Sequence, residues 1–206
     1  MIVFDSDDFG CNHVISDMCQ SHDCRDALDR LHNFNPNFKA TLFTIPGELT
    51  PEMAMWCNAN KGWIELAVHG FYHTSNYECE KMTYEEFDTH MQSFQGMIDD
   101  FFVKGFKAPG WQISDDIYRW LKDHGWWVAD QDYNTERRPI ELPAYINRSG
   151  VFYSFKPGLD TDWSEVNGIH THTWNCVGNG IYELEEDIKS QIANETEFKF
   201  ISEVLA

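Results

Sequence analysis

The chain has 206 residues, 42% of them hydrophobic and 15% aromatic, and 34 acidic against 15 basic side chains give it a formal net charge of -19 at pH 7. So much apolar and aromatic matter excludes a disordered chain, and so acidic a surface repels phosphate backbones and anionic headgroups, which argues against nucleic-acid and membrane-surface partners. No apolar run reaches membrane-spanning length and the start, MIVFDSDDFG, lacks a secretory leader, so the expectation is one domain over residues 1–206 in the cytoplasm or another intracellular compartment.

In chain order, Ile2 to Phe4 is a short β-prone run, and residues 24 to 34 place Ala27, Leu28 and Leu31 on one helical face. Lys39 to Ile45 reads as a strand stopped by Pro46-Gly47, after which Thr50 caps a helix that has Pro51 in its first turn and runs through Trp56. Ile64 to Val68 is the next strand, and Thr83 with Glu86 forms a capping box for a long helix to about Asp100. Val103 to Lys107 is a strand ending at Pro109-Gly110, and Ser114 caps a helix through Leu121 that Gly125 closes. Trp126 to Ala129, Val151 to Phe155 and Gly168 to Thr173 read as strands, residues 181 to 192 as a helix, and the closing FKFISEVL as β-prone. Repeated βα units of apolar strands predict an α/β fold with a parallel sheet, either open or closed into a barrel. The six cysteines are scattered without zinc-ribbon spacing, which favours free thiols.

The unusual polar residues share one address on this map. Asp5, Asp7 and Asp8 follow the first strand, His69 ends the third, and His170 and His172 lie on a late one. Strand C-terminal ends form the rim where parallel α/β folds carry their sites, so these residues converge. His69 and His73 are four apart, and one helical turn after the strand points both imidazoles the same way. With Asp8 they form a set of two histidines and one carboxylate that leaves positions open on a divalent ion, as hydrolysis requires. Zinc is the default ion, with cobalt, nickel and manganese compatible. A neighbouring aspartate can take a proton from water and a histidine across the site can return one, for which Asp7 and His172 are the candidates, with Asp5 and His170 as competitors.

With these residues in place, the sequence resembles the polysaccharide deacetylase family (NodB-homology, carbohydrate esterase 4 type), and its DDFG segment is also similar to the YdjC-type deacetylases. The resemblance implies a single-domain distorted (β/α) barrel, a metal held by Asp8, His69 and His73, and Asp7 as catalytic base. HGFYH resembles the family's H-[ST]-x-x-H element with Gly70 in the hydroxyl position, and FKAPGW resembles its R-x-P element with Lys107 where an arginine orients the base. The same resemblance implies a groove wall at Pro109, a sugar-stacking role for Trp111, and support from Asp162 and Trp163 in LDTDW. GIHTHTW resembles the strand that carries the catalytic histidine, which implies His172 as proton donor with His170 in reserve, beside the substrate. The function so implied is removal of N- or O-linked acetyl groups from an acetylated glycan or oligosaccharide. Three alternatives stand beside it: an amidase on a small non-carbohydrate amide, a degenerate carbohydrate-binding domain, and a non-haem iron oxygenase with the same ligand triad, which the second aspartate disfavours. Oligomeric state is not encoded in any of these motifs.

Overall fold

The computed structural model describes residues 1–10, 14–16, 19–21, 23–131, 141–142, 151–154, 167–175 and 180–204. Its main sheet runs in the order β10 (Asn167–His172), β1 (Ile2–Phe9), β4 (Ala40–Thr44), β5 (Ile64–His69), β6 (Phe102–Lys107), β7 (Trp127–Gln131), β9 (Val151–Ser154) and β8 (Glu141–Leu142). The first six of these are parallel and curl into a half-barrel, and β9 and β8 continue it antiparallel. The α/β expectation and the distorted (β/α) barrel both hold. A small antiparallel sheet of β2 (Val14–Ser16), β3 (Cys19–Ser21) and β11 (Trp174–Asn175) was not expected from the sequence, nor was the two-residue β8. Strands this short carry too few residues to show an alternation.

The helices are α1 (Arg25–Phe34), α2 (Pro51–Ala59), α3 (Tyr84–Phe101), α4 (Asp115–Asp123), α5 (Glu185–Ile192) and α6 (Ile201–Val204). Their starts follow local chemistry. The Thr50, Thr83 and Ser114 side chains accept the backbone N–H of Met53, Glu86 and Ile117, and Thr83 with Glu86 makes the full capping box. The last predicted helix begins at Glu185, four residues later than residue 181. The closing FKFISEVL is likewise corrected: Phe198 makes only an isolated bridge to Ile2, and the chain then turns into α6. The reason lies in polar groups waiting beneath it. Thr41 Oγ1 accepts the Ile201 N–H at 3.1 Å, and Glu203 accepts that of Phe200 at 2.9 Å, so the start of a helix is satisfied where a strand edge would not be.

The sheet divides the core. On its outer face Phe4, Leu42, Leu66 and Ile169 pack on α1, α2 and α5, and Val68, Phe106 and Val128 pack on α3 and α4. The concave face is layered along the strands. At the floor Glu65 accepts hydrogen bonds from Thr41 Oγ1 at 2.9 Å and from the Ser202 hydroxyl. Above it Val3, Phe43, Ala67, Trp127 and Ala129 close over Ile201. The polar residues of the site occupy the next layer, at the strands' C-terminal ends. Among the described residues no helix is long and apolar enough to cross a membrane. Cys24, Cys57 and Cys79 are free and buried, and burial pushes each thiol up, Cys57 to about 12, which makes them inert packing groups.

Candidate metal centre

Strand β1 is buried along its whole length, and its alternation sends Asp5 and Asp7 to the concave face. Strict alternation would send Asp8 the other way. Instead Asp8 adopts φ 66°, the pairing with β4 shifts register between Ser6 and Phe9, and Phe9 returns to the outer core beside Trp56. This bulge brings two adjacent carboxylates to one side of the sheet.

Asp8 Oδ1 stands 3.3 Å from His69 Nε2 and 3.2 Å from His73 Nε2. His69 Nδ1 donates to the Lys107 carbonyl at 2.9 Å, so that in the neutral form of the ring, the form that ligates a metal, the Nε2 lone pair faces Asp8. Asp8 Oδ1 is buried without a hydrogen-bond partner. Three electron-rich atoms converging in a buried place, one of them orphaned, fit a divalent cation; two donors about 2.0–2.2 Å from a tetrahedral ion lie about 3.3–3.5 Å apart. Burial pushes the Asp8 carboxyl up, yet the neighbouring His69, His172 and His73 outweigh it and hold it well below the usual range. Burial also opposes the charged form of His69, but Asp7 and Asp8 raise it overall, whereas burial and His69 together lower His73.

The turn between the two histidines is not helical, contrary to the sequence expectation. Gly70 and His73 have φ 60° and 48°, and the Glu78 carboxylate accepts the backbone N–H of Phe71, Tyr72 and His73 at 3.2, 3.0 and 3.1 Å. A Cβ on Gly70 would lie 2.4 Å from Glu78 Oε2 and 2.6 Å from Pro109 Cγ. The missing hydroxyl of the H-[ST]-x-x-H pattern is therefore replaced by a carboxylate from outside the motif. Sequence reading did not find Glu78, and the bare glycine was its only trace.

Lys107 is fully buried and holds the other side of the site. Its Nζ lies 2.6 Å from Asp7 Oδ1 and 3.0 Å from Asp5 Oδ1, between the rings of Phe43 at 4.1 Å and Trp111 at 4.3 Å. Burial pushes the Asp7 carboxyl up, but Lys107, His170, His69 and His172 bring it below its ordinary value. His170 Nδ1 donates to Asp5 Oδ1 at 2.5 Å. Asp5, the unassigned acid of the sequence, thus joins Lys107 to His170; its spacing of two from Asp7 was the available signal. The register sets Asp5 against His170 and Asp7 against His172, and the Nε2 atoms of those histidines stand 3.8 and 4.0 Å from Asp7 Oδ2. Burial, against the pull of Asp7, lowers His172 to about 4. Pro109 and Trp111 form a 3₁₀ turn at the rim, with Trp111 edge-on to His170 at 5.9 Å. Asp162 and Trp163 lie outside the described residues.

No protein-family profile and no curated protein sequence matches this chain. Solved structures do. A family 4 acetyl xylan esterase from Clostridium thermocellum, in complex with a cobalt ion, superposes with a TM-score of 0.59 at 13% identity over 98% of this chain and 89% of that one. The peptidoglycan deacetylase PdaC from Bacillus subtilis gives 0.56 at 14% over 98% and 88%, and a CE4 family pseudoenzyme from Bacillus anthracis gives 0.56 at 14% over 100% and 65%. The chain has the fold of the CE4 polysaccharide deacetylases, the family its motifs resemble.

Proposed function

We propose that this chain is a metal-dependent deacetylase that hydrolyses N- or O-linked acetyl groups on a carbohydrate. The observation that carries the reading is the orphaned Asp8 Oδ1 converging with two imidazole nitrogens beside a second, lysine-held carboxylate. Asp8, His69 and His73 would hold the ion, zinc by default, with cobalt, nickel or manganese as substitutes. When bound, the ion supplies Lewis-acid polarisation of the acetyl carbonyl and charge compensation at its oxygen.

The remaining work falls to the chain. Asp7 accepts a proton from the attacking water at Oδ2, because Lys107 occupies Oδ1 and fixes the carboxylate plane. Lys107 orients the base as a point charge rather than through a bidentate fork. His172 returns a proton to the departing amine or alkoxide: its side chain is 15% exposed against 2% for His170, so it meets a substrate entering from the rim. The bond from His170 to Asp5 favours a second assignment, with His170 as donor and Asp5 as its positioning residue. Pro109 and Trp111 line the wall on which a sugar ring would rest, and Asp162 and Trp163 are assigned a supporting role from the motif alone.

The test is metal analysis of the purified protein followed by acetate release from acetylated chitooligosaccharides, peptidoglycan fragments and acetylated xylan. Asp7→Asn is expected to keep the metal and lose turnover on the order of 10²–10⁴-fold. Full activity in that variant sinks the assignment of the base. The larger loss between His172→Ala and His170→Ala identifies the donor. A metal-loaded protein inert on every acetylated glycan but active on a small amide supports the amidase alternative. One inert on both favours the degenerate carbohydrate-binding alternative, which the neutralisation of Asp5 and Asp7 by Lys107 would explain.

A further inference from the structure

Beside the Asp8, His69 and His73 set, the described residues contain a second convergent trio, Asp7, His170 and His172. We propose that this trio is a second, weaker divalent-cation site, so that the protein takes up two ions.

The geometry is the first support. His170 Nε2 and His172 Nε2 lie 3.8 and 4.0 Å from Asp7 Oδ2, too far for hydrogen bonds, whose N···O distances run to about 3.2 Å. Two donors each about 2.1 Å from one ion can stand at most about 4.2 Å apart, so neither gap alone is too wide for a shared cation, and an inward closure of the three donors by roughly a few tenths of an ångström brings them toward tetrahedral spacing of about 3.4 Å. His170 is the second support. It is 2% exposed, and its Nε2 is buried without a hydrogen-bond partner. Its Nδ1–H donates to Asp5, which leaves Nε2 with a lone pair and an aspartate behind the ring, the arrangement that orients a metal-bound histidine. Lys107, bonded to Oδ1 of Asp7, leaves Oδ2 directed at the gap.

Charge fixes the order of filling. Asp5, Asp7 and Asp8 bring three negative charges and Lys107 one positive, so one divalent ion neutralises the pocket. A second ion enters a neutral pocket beside an ammonium group, so we expect it to bind at least about tenfold more weakly. This site uses the atoms that the proposed deacetylation needs as base and acid. If that reading holds, the cation that activates at one equivalent inhibits at two.

Titration of the metal-stripped full chain with Co²⁺, followed by calorimetry and visible d–d absorption, decides the matter without reference to turnover. Two equivalents are expected. His172→Ala should lose the weaker one alone, and His69→Ala should lose the tighter one and keep the weaker. A single equivalent in the unaltered protein up to millimolar Co²⁺ overturns the proposal and shows the gap to be a water site. So does a second equivalent that survives His172→Ala unchanged, which would lie elsewhere on the acidic surface. Absence of acetate release from any glycan would overturn the proposed function and leave this stoichiometry readable.

Discussion

Lys107 is the residue on which the buried charges of the site depend. Its ammonium is the counter-ion of both Asp5 and Asp7, and no water reaches it. Removing the lysine leaves two buried carboxylates without their counter-ion, so Lys107→Met is expected to cost about 3–5 kcal/mol in urea unfolding of the metal-free protein. Lys107→Arg should not rescue it fully, because the cavity between Phe43 and Trp111 is filled by the narrower side chain. Glu78 acts at the same scale by different means. It holds three backbone N–H groups of the loop between His69 and His73, so, on the proposed metal site, Glu78→Ala should lower Co²⁺ affinity about 10–100-fold while leaving the helices' circular dichroism unchanged. Of these residues, Lys107 was legible because a basic residue before Ala-Pro matched a known pattern. Glu78 was not, since nothing in its neighbourhood of the sequence specifies which backbone it will meet.

At the scale of elements, strands and helices were legible wherever local chemistry is strong: the caps at Thr50, Thr83 and Ser114 fall where the hydroxyl residues predicted. The bulge at Asp8 escaped because it breaks the period-two rule on which strand reading rests. Nor does periodicity encode strand order, which placed the last parallel strand, β10, beside the first. Strand β6 shows how one element sets the level of the site. Gly105 faces the indole of its register partner Trp127, and a Cβ there would lie 2.0 Å from the ring. Gly105→Ala must displace Trp127 from the apolar layer under Lys107, and the expected loss is about 1–3 kcal/mol by thermal or urea unfolding.

Over the whole molecule, the half-barrel separates two buried acidic regions, the site at the rim and Glu65 at the floor. Burial raises the Glu65 carboxyl above its ordinary 4.5, although Ser202 and Thr41 donate to it. A raised folded-state value means that the unfolded chain releases this proton first, so the native state loses stability as pH rises from about 4.5 through the folded value. Glu65→Gln keeps an acceptor for Thr41 and can donate to Ser202, and it removes that loss. The variant is expected to gain stability over the parent chain at pH 8 in urea unfolding, with the gain vanishing near pH 4; an equal effect at both values refutes the assignment. The pairing of β1 with β10 has a consequence for assembly. Ser6 and Thr171 hydrogen-bond at 3.0 Å on one face of that ladder while Asp5 and Asp7 meet His170 and His172 on the other. A chain docked one residue out of step would keep most of the ladder but turn hydroxyls where the imidazoles belong. If the Asp7, His170 and His172 trio takes up a cation as proposed, uptake becomes a fidelity check on folding: chains in the correct frame would bind, and mass action would draw the population toward them.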